Sequence, residues 1–175
     1  MSRHIARDVV VPDLVDPVIG FRQWRLHDGR LHSVMNETEW RLGGLEAECR
    51  IAGHPSSDSG HFPSARCSCG VYAYYDPLPR TASLWPELVA GAVVMWGELQ
   101  AHATGMRGQF AQTVVLALPI ERGRKRRELL TLADELGIDV VRPRHLRAAA
   151  LTHGGALPED LRPSPRVTVA ACVPE

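Results

Sequence analysis

The stretch from Cys49 to Gly70, CRIAGHPSSDSGHFPSARCSCG, constrains the fold most, because it gathers metal ligands in a segment that has little means of ordering itself. It contains three of the four cysteines of the chain and two of its eight histidines. The remaining residues are largely Gly, Ser and Pro, and ordering such a loop costs conformational entropy. A bound metal offsets that cost, because metal binding to the loop is itself folding free energy. The stretch therefore predicts a metal-binding loop.

Zinc is the ion that these ligands favour, since a structural Zn²⁺ is held tetrahedrally by four thiolate or imidazole groups. Cys49, Cys67 and Cys69 supply three sulfurs. We predict His61 as the fourth ligand, because it lies six residues before Cys67 and closes a compact loop, with His54 as the alternative. The prediction is one Zn²⁺ per chain.

Other interpretations of the same stretch stay open, because a Cys-x-Cys pair is less diagnostic than two Cys-x-x-Cys pairs. The cysteines suit a redox couple, an iron site or inert buried thiols as well as zinc. The number of protein ligands also matters. Four make the ion structural, whereas three plus a water make it catalytic, with Glu46 or Glu48 as the base that activates the water.

Composition argues against several partner classes. The 175 residues suit one domain, the hydrophobic content of 45% is ordinary for a soluble protein, and a formal net charge of zero gives no strong field toward nucleic acid or membrane. Charges interrupt the N-terminal apolar residues, unlike a signal peptide. The longest apolar run, Leu88 to Gly97, is about half of what a membrane helix needs. We therefore expect a cytoplasmic protein without membrane contact, in which clustered cysteines favour metal or redox chemistry over a disulfide.

The pattern along the chain predicts an N-terminal arm at 1–16, a single metal-stabilised α+β domain at 17–151, and a Pro/Gly-rich C-terminal tail at 152–175. Two hairpins are expected, one turning at Asp28-Gly29 and one joining residues 87–99 to 106–119. β-Branched residues favour a strand over a helix at 87–99. The predicted fold is α+β: a mostly antiparallel small sheet of about six strands or a partly closed barrel, with one flanking helix and the metal-binding loop.

The flanking helix is predicted at 121–136, where leucines recur on one face and Gly137 is placed to end it. Its start carries a basic run, although cations there oppose the helix dipole. Such a run neutralises phosphates, so nucleic acid is a candidate partner, but most charge runs are solvated faces and a protein partner is favoured. Trp40 is expected in the core, and His102 and Arg107 at an exposed hairpin tip. The run consists of Arg122, Arg124, Lys125, Arg126 and Arg127.

The segments GFRQWRL, DGRLHS, CSCGVYAYY, VVMWGELQAHATGMRGQFA and LADELGIDVV, in this order, resemble a family of small uncharacterised bacterial proteins. The resemblance covers about residues 17 to 141. In the family pattern an upstream cysteine, then a histidine and a proline, precede Cys-x-Cys-Gly. The matching residues are Cys49, His61, Pro63, Cys67, Cys69 and Gly70. The resemblance implies one domain with a metal loop and brings no activity.

The functional hypothesis from sequence is a zinc-stabilised cytosolic binding or regulatory module without catalytic activity. The first rival is a hydrolase-type zinc metalloenzyme with an open coordination position. The second is a thiol redox sensor.

Overall fold

The computed structural model describes residues 9–11, 16–35, 38–41, 44–48, 68–77, 88–119 and 123–163. Within these residues the strands are β1 (Val9–Val11), β2 (Val18–His27), β3 (Arg30–Ser33), β4 (Glu39–Trp40), β5 (Leu45–Glu46), β6 (Val71–Tyr74), β7 (Leu88–Ala101), β8 (Gly105–Ala117), β9 (Asp139–Val141) and β10 (Gly155–Ala156). The helices are α1 (Arg124–Leu136) and α2 (Leu146–Ala150), with 3-10 turns at Pro143–His145 and Glu159–Leu161.

The longest hairpin, β7–β8, confirms the strand prediction for residues 87–99. Residues 91–95 are all buried, as expected for a strand that is covered on both faces. Its β-branched residues suit a pleated sheet better than a helix. The pairing shifts register between Trp96 and Leu99, where Gly97 has a φ of +75°. This irregularity bends the hairpin, because a bulge increases the local twist.

Four strands, β2, β7, β8 and β6, close into a ring that includes this hairpin. β2 pairs with β7 from Val18 opposite Met95 to Arg25 opposite Leu88. β6 pairs with the start of β8, and Phe21 opposite Tyr74 joins β6 to β2. β3 and β4 continue the sheet beyond β2, and β1 lies on the edge of β7.

The α+β class is confirmed, with two differences in the sheet. β9 pairs parallel to β8, and β10 pairs parallel to β2, so the sheet is mixed. The expected number of about six strands was too low, since the described residues alone form ten. The additional strands are two or three residues long, and such segments are too short to show a periodic pattern.

The local signals read from sequence are confirmed at the first hairpin and at the main helix. Asp28 and Gly29 have φ angles of 47° and 67°, as a two-residue turn with both central residues at positive φ requires. Gly137 ends α1 with a φ of 62°, in the left-handed conformation that glycine adopts without a steric penalty. Neither helix in the described residues is long and apolar enough to cross a membrane.

The two helices pack on separate hydrophobic clusters. The larger cluster includes Trp24, Leu31, Met95 and Met106 of the sheet, together with Leu129 of α1. The smaller cluster joins the sheet to α2. Its members include Ile19, Phe21, Ala92, Val115, Leu146 and Ala150. Alternate residues of β2 enter the two clusters, because successive side chains of a strand point to opposite faces.

The described part of the predicted tail, residues 152–163, packs against the sheet. β10 pairs with the start of β2, and Leu157 is 1% exposed within the larger cluster. The guanidinium of Arg162 lies 4.8 Å from the Tyr75 ring centroid and donates to the Leu157 carbonyl. Residues 164–175, including Cys172, lie outside the described residues. The Gly/Pro-rich composition of residues 152–175 therefore does not prevent the described part, residues 152–163, from packing against the core.

We predict that Leu157→Ala lowers the free energy of unfolding by about 2–5 kcal/mol, because it removes a buried side chain and leaves a cavity. Leu151→Ala is the matched control, since Leu151 is 42% exposed, and it should change stability by less than about 0.5 kcal/mol. Urea unfolding of both variants measures the difference. Equal effects would show that residues 152–163 do not contribute to the core.

Candidate functional site

Only one of the predicted zinc ligands, Cys69, lies in the part of the chain that the structure describes. Cys49, His54, His61 and Cys67 fall outside it. Among the described residues, no group of three or more His, Cys, Asp or Glu side chains is placed to hold a metal ion. The zinc site therefore stays a prediction, and the structure bears on it through the residues at either end of the cysteine stretch.

Both ends of the cysteine stretch are attached to one edge of β8. β5 pairs with Ala111 and Phe110, and the Ala47 N–H then donates to the Gln109 carbonyl at 2.7 Å. The chain returns at Val71, which pairs with Gly108. The chain thus leaves and rejoins β8 at consecutive residues, and consecutive residues of a strand are about 3.3 Å apart along its axis.

A buried arginine holds the returning end of the stretch. Arg107 is 2% exposed, and its Nε donates to Gln100 Oε1 at 2.5 Å while its Nη1 donates to the Cys69 carbonyl at 3.0 Å. The expectation that Arg107 is exposed at a hairpin tip is wrong. β8 already begins at Gly105, so Arg107 lies inside the strand and its guanidinium is covered. A buried charge of this kind depends on its hydrogen bonds.

Tyr72 gives a second attachment for the same residues. Its hydroxyl donates to the Ser68 carbonyl at 2.6 Å, and its ring stacks on His102 at 6.0 Å between centroids. The Tyr75 hydroxyl donates to the His102 carbonyl at 2.7 Å. Burial raises the pKa of Tyr75, although this hydrogen bond and the charge of Arg162 act in the opposite direction. The sheet thus holds the backbone of residues 68 and 69, the first described residues of the stretch.

A second arginine, Arg22 of β2, hydrogen-bonds to residues of both β6 and β3. Arg22 donates to the Tyr72 carbonyl at 3.1 Å and to Ser33 Oγ at 3.4 Å. Its guanidinium carbon lies 4.4 Å from the Trp40 ring centroid and 5.6 Å from that of Trp24. Burial lowers the pKa of Arg22 to about 10. The prediction that Trp40 fills the core is confirmed, since it is 4% exposed.

A cleft of about 800 Å³ lies between α1, β4 and the β2–β3 turn. Ligand sites commonly have volumes of about 300–1,000 Å³. The apolar side chains that line it are Trp40, Leu132 and Leu136. Its arginines are Arg30, Arg41, Arg124 and Arg127. Its carboxylates are Asp28, Glu39, Glu128 and Glu135.

The charged groups of the cleft are only partly paired. Arg30 Nη1 donates to both Glu39 oxygens at 3.0 Å, and Arg124 pairs with Glu128 at 3.2 Å. Desolvation acts to raise the pKa of Glu39, but the hydrogen bond and charge of Arg30, with Arg41, lower it overall. Glu39 therefore stays ionised at neutral pH. Among the described residues, Arg127 has no carboxylate partner within ion-pair distance.

The predicted basic run divides between two environments. Arg124 and Arg127 line the cleft, whereas Lys125 Nζ donates to the Leu88 carbonyl at 2.8 Å. Arg126 is half-buried outside the cleft lining, and Arg122 is outside the described residues. The helix start has no side-chain cap and no acidic residue in its first turn. The run is therefore not one continuous basic surface, and two of its members face a concave site.

No family model, curated protein or solved structure matches the chain.

We predict that Arg107→Met lowers the free energy of unfolding by about 2–4 kcal/mol, because it removes a donor from the buried Gln100 oxygen and from the half-buried Cys69 carbonyl. Arg25→Met is the control, since Arg25 is exposed and should change stability by less than about 0.5 kcal/mol. Chemical unfolding measures both, and hydrogen exchange at Val71 and Gly70 reports the local effect. Loss of stability without faster exchange at these residues would contradict the anchoring role.

Proposed function

We propose that the protein is a zinc-stabilised cytosolic binding or regulatory module without catalytic activity. The observation that supports this most is the attachment of both ends of the cysteine stretch to neighbouring residues of β8. A loop whose ends the sheet already brings together has less entropy left to lose when a metal closes it. The sheet thereby lowers the entropic cost of forming a metal site in this loop.

Covalent geometry makes the predicted ligand set compatible with this arrangement. Cys49 is two residues beyond Ala47, and Cys69 is two residues before Val71. Two residues of extended chain span at most about 7 Å, so Cys69 lies near the segment of β8 that Ala47, two residues before Cys49, also contacts. Cys69 itself is half-buried, and its carbonyl is held by Arg107. Cys49, Cys67 and Cys69, with His61 or His54, are the residues that would hold the ion.

A structural role for the zinc is favoured over a catalytic one by the position of the candidate bases. Glu46 and Glu48 are both exposed. Burial and charged neighbours are what normally adapt a carboxylate to general base catalysis, and an exposed side chain lacks the first of them. Three thiolates and one imidazole would complete a tetrahedral shell without water. The ion then stabilises the loop, and binding takes place elsewhere on the molecule.

We predict about one zinc per chain by elemental analysis of reduced protein purified without added metal. Removal of the zinc by a chelator should lower the melting temperature and destabilise the protein by several kcal/mol, because metal binding contributes folding free energy. Readdition of zinc controls for damage by the chelator. Protein that is folded, reduced and free of metal would contradict the proposal and favour the redox interpretation.

We predict that cobalt-substituted protein has a visible spectrum typical of three sulfur ligands and one nitrogen, and that azide does not change it, because a closed shell has no open position. Cys69→Ser should weaken the sulfur-to-cobalt absorption, whereas Cys172→Ser should not. His61→Ala and His54→Ala identify the nitrogen ligand in the same assay. A spectrum that shifts with azide would instead favour the metalloenzyme.

A further inference from the structure

We propose that the cleft between α1, β4 and the β2–β3 turn binds a phosphate-bearing ligand that also carries an apolar ring, such as a nucleotide unit. This inference rests on the proposed role as a binding module, and it does not depend on the zinc. The volume of about 800 Å³ accommodates a ligand of this size. Of its apolar lining residues, Leu136 is partly exposed, whereas Trp40 and Leu132 are 4% and 6% exposed. Arginines complete the lining.

One wall is a single face of α1. Arg124, Arg127 and Glu128 lie on this face, because residues three and four apart are neighbours on a helix. Arg124 is held by Glu128, whereas the exposed Arg127 has no ion-pair partner among the described residues. A guanidinium presents five N–H donors in a planar arrangement that matches phosphate oxygens. Arg127 is therefore the group on this wall that is available to a phosphate.

The cleft lining includes a second candidate guanidinium, that of Arg41, which directly follows β4. Arg30 is engaged by Glu39 through both carboxylate oxygens. Arg41 lies 3.6 Å from Glu39 and its side chain is 75% exposed, and at that distance it makes at most a weak ion pair. Because Glu39 is satisfied by Arg30, Arg41 can turn its donors to a ligand without leaving a carboxylate unpaired.

The carboxylates of the cleft do not offset the attraction of its arginines for phosphate equally at both ends of α1. Glu39 and Glu128 are already paired with arginines, and Asp28 Oδ2 lies 3.3 Å from His27 Nε2. Glu135 is eight residues beyond Arg127, which places it about 12 Å farther along the helix axis. Positive charge is thus concentrated at the beginning of α1, and this end of the cleft is where the phosphate belongs.

The basic run itself provides a test of this assignment. Arg126 and Arg127 are adjacent and carry the same charge, but only Arg127 lines the cleft. Long-range attraction of phosphates to the run would make the two residues equivalent, since such binding depends on the number of charges neutralised. A defined site in the cleft predicts that Arg127 contributes more to phosphate binding than Arg126 does. A free nucleotide and a nucleotide unit of a single-stranded nucleic acid both carry a phosphate and a base. Binding measurements with each of them distinguish the two ligands.

The experiment measures binding of AMP, adenosine, inorganic phosphate and a labelled five-nucleotide DNA strand to the purified full-length protein by calorimetry and fluorescence anisotropy. AMP should bind more tightly than adenosine or phosphate alone. Arg127→Gln and Arg41→Gln should each weaken AMP binding about tenfold or more, as loss of a charge-assisted hydrogen bond does. Arg126→Gln should change it less than about twofold. Melting temperatures establish that all three variants are folded.

Two outcomes support the inference and distinguish the ligands. If AMP binds as tightly as the strand, the ligand is a free nucleotide. If the strand binds much more tightly than AMP, the ligand is nucleic acid. Equal weakening by Arg126→Gln and Arg127→Gln would overturn it, since the attraction would then belong to the run as a whole. Absence of binding by AMP and by the strand would also overturn it. If that protein still contains one zinc per chain, the proposed zinc-stabilised fold stands while the cleft assignment fails.

Discussion

The pairing of β7 with β8 is the interaction on which the rest of the structure depends. Both strands are buried over much of their length. β2 and β1 pair with the free edge of β7, while β5, β6 and β9 pair with the free edge of β8. Backbone groups that are removed from water require hydrogen-bond partners. Segments from distant parts of the chain therefore pair with these two edges. The pairing of Phe21 with Tyr74 joins β6 to β2 and closes the ring.

Two arginines connect neighbouring strands of this ring. Arg22 lies where β2 passes from its pairing with β6 to its pairing with β3, and it hydrogen-bonds to residues of both. Arg107 connects β8 to β7 and to the backbone that precedes β6. Each guanidinium gives up water on burial, and its donors reach acceptors on more than one strand, although the buried Arg22 Nε has no hydrogen-bond partner among the described residues. A lysine offers no comparable planar set of donors.

The same architecture positions two regions with different chemistry. The residues that flank the cysteine stretch pair with β8 near Arg107. The charged cleft is lined by residues of α1, β4 and the β2–β3 turn. In our proposal, a metal in the first region stabilises the fold and the second region binds the ligand.

The sequence by itself determined the features that depend on neighbouring residues. These are the turn at Asp28-Gly29, the end of α1 at Gly137, the strand character of β7 and the clustering of candidate metal ligands between Cys49 and Cys69. The tertiary structure alone decided the pairing of β4, β5 and β10, the burial of Arg107 and Leu157, and the division of the basic run. Local signals arise from backbone preferences and periodicity. A two-residue strand or a buried arginine has no such signal, because its stability comes from contacts with residues far away in the chain.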